Sequence, residues 1–136
     1  MTIGGEGGRE ERDNSLLLLD DDAPLRNRLG RALQERGFAP VLAESVAEAL
    51  AAVRAAPPAF AVLDMRLGDG SGLTVVDALR RARPDARVIM LTGYANVAST
   101  AAAMKAMAVG YLAKPADADQ IVTALKSVKG PGASPA

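Results

Sequence analysis

Short blocks of unbroken apolar sequence, each followed by a stretch with helical spacing, constrain this chain more than any other feature. Ser15 to Leu19, Phe60 to Leu63 and Val88 to Leu91 are such blocks, and Phe38 to Ala43 and Val109 to Ala113 read as two shorter strands. A strand wetted on one side alternates polar with apolar residues, so an unbroken run belongs in a sheet covered on both faces. Between the blocks, Leu25, Leu29, Ala32 and Leu33 recur at helical spacing while Arg26, Arg28, Arg31 and Arg36 fall mostly off that stripe. Asp22 is a plausible cap and Pro24 suits a first turn; Gly37 fits the end of this helix. Ser45 to Glu48 has the capping-box pattern for a second helix, which Pro57 and Pro58 stop. Leu73, Val76, Ala78 and Leu79 predict a third helix ending before Pro84, Ala95 to about Met107 a fourth, and Asp117 to Gln120 caps a fifth running to about Lys129.

Strand and helix thus alternate five times, which predicts an α/β fold: a (βα)5 doubly wound, five-stranded parallel sheet with helices on both faces and right-handed crossovers. The flavodoxin-like order 2-1-3-4-5 is the expected one. At 136 residues there is room for one core and not for two ordinary domains. The expected layout is a disordered Gly-rich leader over 1–14, one domain over 15–129, and a loose tail or start of a linker over 130–136.

Cysteine and histidine are both absent, which removes thiol chemistry, disulfides, the commonest zinc ligands and any Ser-His machinery. Lys plus Arg and Asp plus Glu both number 16, so net charge offers no argument for nucleic acid or membrane. The acidic, Gly-rich start is neither signal peptide nor anchor, and no apolar run is long enough to span a bilayer. The expectation is a cytoplasmic protein that binds neither membrane nor nucleic acid through this chain. No G-x-G-x-x-G follows the first strand, which weakens a dinucleotide-binding alternative.

What remains is carboxylate, lysine, hydroxyl and backbone chemistry, and these groups sit at strand ends. The first strand ends in Asp20-Asp21, the third in Asp64, the fourth in Thr92 and the fifth in Lys114. In a parallel sheet these ends share one edge, and in the expected order the first and third strands flank the crevice where ligands bind. Three carboxylates there need a counter-charge. A hard divalent cation supplies it; Mg2+ takes oxygen ligands and pairs with phosphate, which points to phosphoryl transfer to a carboxylate oxygen.

The segments L-L-L-L-D-D-D-A-P, V-L-D-M-R-L-G-D-G-S-G-L, I-M-L-T-G-Y and Y-L-A-K-P, in that order, resemble the response-regulator receiver domain of two-component signalling over roughly Ser15 to Lys129. G-F-A-P-V-L-A-E-S-V-A-E-A-L, R-P-D-A-R, L-T-G-Y-A and K-P-A-D-A-D look similar to the redox-responsive proteobacterial regulators of the RegA/PrrA/ActR group. The resemblance implies Asp64 as phosphoryl acceptor. It implies Asp20, Asp21, Asp64 and the backbone carbonyl of Arg66 as Mg2+ ligands, with Mn2+ able to substitute. It further implies Thr92 and Lys114 as partners of the phosphoryl group, Thr92 and Tyr111 as switch residues, and a cis peptide bond before Pro115. A sensor histidine kinase is the implied partner, with a homodimer through the last two helices and strand. Transcription would be regulated through a DNA-binding domain outside this chain, whose final Gly-Pro-Gly-Ala-Ser-Pro reads as the start of a linker. The implied role is signalling, not enzymatic beyond the domain's own phosphorylation and dephosphorylation. One departure stands out: Met107-Ala108-Val109-Gly110 occupies the place of the family's Gly-Ala-x-Asp run, and a left-handed cap at Met107 would cost on the order of 1 kcal/mol. Two rivals share some of the residues: a haloacid-dehalogenase-type phosphohydrolase using Asp20, Asp22, Thr92, Lys114 and Asp117 or Asp119, and a phosphorylation-independent dimerisation module.

Overall fold

Leu16, Leu17, Leu18 and Leu19 are each at most 1% exposed, which a strand achieves only with cover on both faces. They form β1 (Ser15–Leu19), which pairs in parallel with β2 (Ala39–Ala43) on one side and β3 (Phe60–Asp64) on the other. The computed structural model describes residues 13–93 and 109–128. The expected Ala95 to Met107 helix, the Met107 cap, and most of the expected leader and tail lie outside the described residues.

Beyond β3 come the two-residue strands β4 (Arg66–Leu67) and β5 (Gly70–Ser71), which pair with each other as an antiparallel ribbon, then β6 (Arg87–Thr92) and β7 (Gly110–Ala113). The main sheet is parallel throughout, in the order β2-β1-β3-β6-β7. Counting only its own five strands along the chain, that is the expected 2-1-3-4-5. β2 lies at an edge, where Pro40 forfeits no ladder donor.

Four described helices cover the sheet: α1 (Ala23–Glu35), α2 (Val46–Ala55), α3 (Gly72–Ala82) and α4 (Ala118–Ser127). Alternate strand residues feed two cores. Leu16, Leu18, Val62, Ile89 and Leu91 meet Leu29 and Leu33 of α1 and Ile121 and Leu125 of α4. Leu17, Leu19, Leu63, Val88 and Met90 meet Val46, Ala49 and Val53 of α2 and Val75, Val76 and Leu79 of α3. At about 1.5–3 kcal/mol for each large buried side chain, this two-sided burial is the main force holding the strand ends together.

The helix starts follow the local chemistry. Asp22 accepts from the Leu25 N–H at 3.0 Å, and Asp117 and Gln120 form a complete capping box at α4. At α2 the box is only half as expected. Ser45 Oγ accepts from the Glu48 N–H, but the Glu48 carboxylate accepts from the Glu44 N–H at 2.9 Å, one residue before the cap.

Among the described residues, Asp13 and Asn14, which precede the expected domain start, make specific contacts. Asp13 Oδ1 accepts from the Ser15 N–H and hydroxyl at 3.0 and 2.7 Å, and Oδ2 accepts from Arg83 Nη1 at 2.7 Å. Asn14 donates to the Gly37 carbonyl at 2.9 Å. The two Ser15 hydrogen bonds, helped by Arg83, hold the Asp13 carboxyl at about 2, below its usual 3.8. A lowered native pKa stabilises the fold above pH 4 and loses that contribution as pH falls toward 2. Asp13→Ala is expected to lower unfolding free energy by about 1 kcal/mol at neutral pH, after allowing for solvent screening, with the difference from wild type shrinking below pH 4. Urea titrations at pH 7 and pH 3 check this.

Candidate functional site

Parallel pairing brings the carboxyl ends of β1, β3, β6 and β7 to one edge, and the side chains there are unlike those of the cores. Among the described residues, the buried polar or charged ones are Asp20, Asp64 and Thr92, at 0%, 7% and 7% exposure. All three stand at this edge. Burying a carboxylate is costly unless it is paired, so two buried carboxylates beside a buried hydroxyl call for a chemical reason.

Asp20 follows β1 directly and is held on every side. Its N–H donates to the Ala43 carbonyl at 3.1 Å, its Oδ1 accepts from the Asp22 N–H at 2.9 Å, and its carbonyl accepts from Arg26 Nη1 at 2.7 Å. Asp64 closes β3, opposite Leu91 of β6. Lys114 follows β7, and its ammonium donates to Asp20 Oδ2 at 3.3 Å and to Asp64 Oδ2 at 3.2 Å. It therefore bridges carboxylates from the two central strands. Its backbone is fixed as well: the Lys114 N–H donates to the Thr92 carbonyl at 2.8 Å, and the Lys114–Pro115 peptide bond is cis. Asp21 is exposed, yet one carboxylate oxygen from each of Asp20, Asp21 and Asp64 lies within 4.8 Å of the others.

The electrostatics are short of positive charge. Burial raises the Asp64 pKa, Lys114 pulls it down, Asp20 and Asp21 push it up again, and the net shift is upward. Burial works against the charge on Lys114, but Asp64 and Asp20 outweigh it and its pKa rises. Three carboxylates thus face a single ammonium. The oxygen-only donor set and this deficit fit a hard divalent cation.

Thr92 ends β6 one position beyond Leu91, on the strand beside Asp64. Tyr111 lies in β7, 45% exposed, paired in register with Met90. Arg66 opens β4 two residues after Asp64.

The stretch after Asp64, assigned to no strand or helix from the sequence, forms the β4–β5 ribbon. Its signal was present in the sequence, since Gly68-Asp69 between Leu67 and Gly70 is a two-residue hairpin connection. Another residue missed was Gly72. A Cβ there would sit 2.3 Å from the Asp64 carbonyl oxygen, so α3 begins hard against the strand end that carries the carboxylate.

A family model described as the response regulator receiver domain matches residues 16–126. The chain is 54% identical over 120 residues to the acid tolerance regulatory protein ActR of Sinorhizobium medicae, covering 88% of this chain and 61% of that protein. It is 53% identical over 115 residues to the photosynthetic apparatus regulatory protein RegA of Rhodovulum sulfidophilum, covering 85% of this chain and 63% of the relative. The chain therefore spans less than two thirds of these relatives. A response regulator protein from Burkholderia pseudomallei, crystallised with a phosphorylated aspartic acid, calcium ion and citrate, superposes with a TM-score of 0.76 at 40% identity, over 83% of this chain and 66% of that one.

Gly72→Ala is expected to destabilise the protein by about 1–3 kcal/mol, because the new methyl must push the Asp64 backbone or α3 aside. Thermal unfolding measures the loss, and the 15N–1H resonance of Asp64 should be among those that shift most.

Proposed function

Since the chain belongs to the response regulator receiver domain family, we propose that Asp64 is its phosphoryl acceptor and that a sensor histidine kinase is the donor. The observation that carries this is the Lys114 bridge between Asp20 and Asp64. It places a fixed cation beside a buried carboxylate at the one edge where acidic, hydroxyl and cationic side chains converge.

Asp64 acts as nucleophile: its oxygen bonds to phosphorus as the bond from phosphorus to the kinase imidazole nitrogen breaks. Lys114, held in place by its backbone bond to Thr92 and by Asp20, neutralises an oxygen of the incoming group, and the Thr92 hydroxyl donates to another. Asp20, Asp21, Asp64 and the Arg66 carbonyl would hold Mg2+, which supplies further neutralisation of phosphoryl oxygens when bound, and Mn2+ would substitute. Phosphorylation adds about −1.5 to −2 charge at Asp64. Thr92 and Lys114 then gain a partner, and the β6 end repacks toward β7 and Tyr111. The exposed Tyr111 ring, with β7 and α4, forms the face through which the domain would dimerise and regulate a DNA-binding domain of the longer protein.

A groove between α1 and α4 supports the choice of donor. Leu25, Leu29, Ala32, Pro115 and Ala116 line it, Arg28, Arg36 and Gln120 also border it, and it reaches Lys114. A helical partner could lie there and present a phosphorylated side chain to Asp64. The role is signalling in the cytoplasm; among the described residues no helix is long and apolar enough to cross a membrane. Against the phosphohydrolase rival, Asp22 and Asp117 are helix caps and Asp119 pairs with Arg36 at 2.9 Å, which leaves Asp20 as that motif's one carboxylate in the site and Asp64 without a role in it.

With acetyl phosphate and Mg2+, wild-type protein is expected to take up one acid-stable label per chain. Asp64→Asn should take up none, and Lys114→Ala should be slower by about 10²–10³-fold. Continuous phosphate release that persists in Asp64→Asn would establish the phosphohydrolase instead. Failure of wild type to bind Mg2+ with beryllofluoride, followed by NMR, would leave the dimerisation module.

A further inference from the structure

Asp69 stands at the tip of the β4–β5 ribbon, exposed to solvent, and its carboxylate reaches a different part of the chain. Oδ1 accepts from the Val46 N–H at 3.0 Å and Oδ2 from the Ala47 N–H at 3.2 Å. These are the first two donors of α2, groups a helix leaves without an internal partner. Ser45, the helix's own cap, already takes the third donor from Glu48 at 3.1 Å. A local cap is therefore in place, and Asp69 adds a second one from more than twenty residues away. Those two amide bonds, Val46 first, hold the Asp69 carboxyl below its usual pKa.

The ribbon's other end is tied to the phosphoryl site. The Gly72 N–H donates to the carbonyl of Met65, the residue after Asp64, at 3.0 Å. Gly70, with φ +146°, takes a backbone conformation side chains rarely adopt, and a Cβ there would lie 3.6 Å from Val46. Arg66 lies between these anchors. With Gly68 and Gly70 in so short a segment, the backbone has little conformational preference of its own, and the position of the Arg66 carbonyl depends on both ends being held.

We propose that Asp69 is a positioning residue for the phosphoryl site: its carboxylate latches the ribbon after Asp64 to the first turn of α2, so that cation binding at Asp20, Asp21 and Asp64 and the seating of α2 stabilise each other. This rests on the function proposed above. The coupling is reciprocal: filling the site strengthens the latch, and cutting the latch weakens the site. The α2 end thereby becomes a second element, beside β7 and Tyr111, that senses occupancy.

The test uses the full chain, 15N-labelled, in Mg2+ and Mg2+–beryllofluoride titrations with hydrogen exchange followed at Val46 and Ala47. In wild type, Mg2+ with beryllofluoride should slow exchange at both amides. Asp69→Ala should abolish that slowing and weaken Mg2+ binding by about 10-fold, the low end for residues supporting metal ligands. Asp69→Asn, which keeps one acceptor oxygen and the shape, should fall between, and it gives the reading if the alanine variant folds poorly. Ser45→Ala removes the local cap without touching the ribbon; it should lower the melting temperature yet leave Mg2+ affinity within about twofold. If Asp69→Ala speeds exchange at Val46 and Ala47 but binds Mg2+ as wild type does, Asp69 is only a helix cap and the inference is overturned. If wild type itself binds neither Mg2+ nor beryllofluoride, the proposed function falls and takes this inference with it, a result distinguishable because it needs no variant.

Discussion

The Lys114 ammonium between Asp20 and Asp64 is the contact on which the rest depends. Both carboxylates are buried, and without a cation between them their mutual repulsion would be felt in a crevice with little water to screen it. Lys114 reaches both because β7 is paired alongside β6 and its last residue is tied to Thr92. The compensation is incomplete: three carboxylates share one ammonium, and burial, with Asp20 and Asp21, raises the Asp64 pKa against the pull of Lys114. A receiver domain needs that imbalance, since an acidic pocket already neutralised would have no call for a divalent cation.

The two cores set the accuracy of this arrangement. β1 and β3 are covered on both faces, so the strands that end in Asp20 and Asp64 cannot slide without exposing leucines on one side or the other. Around that rigid base, the attachments are short and specific. Gly72 lets α3 approach the Asp64 carbonyl, Arg26 grips the Asp20 carbonyl, and Asp69 joins the ribbon to α2. Arg26 also comes within 3.7 Å of Glu44, Asp69 caps the helix that follows Ser45, and the Asp20 N–H donates to the Ala43 carbonyl, so the β2–α2 junction is tied to the site three times.

Much of this was legible along the chain. Unbroken apolar runs gave the parallel sheet, and Asp22, Ser45 and Asp117 marked helix starts that the structure places one residue after them. Asp20, Asp64, Thr92 and Lys114 could be singled out because strand ends in a parallel sheet share an edge. Less legible were contacts between segments far apart in sequence. Glu48 turns to the Glu44 amide where a reciprocal box was expected, and Asp13, ahead of the first apolar run, is linked to Arg83 seventy residues on. The ribbon after Asp64 has strands of two residues, too short for a periodic pattern, and Asp69 ties it to α2 across more than twenty residues.

The sequence by itself determined the layers and the kinds of group available at the sheet edge, because periodicity and the polarity of each strand's last residue are local properties. Only the tertiary structure decided that one lysine spans two carboxylates, that a cation deficit remains, and that an exposed aspartate is anchored to a distant helix. Those outcomes are set by ångström-scale distances between segments tens of residues apart, and no local pattern encodes them.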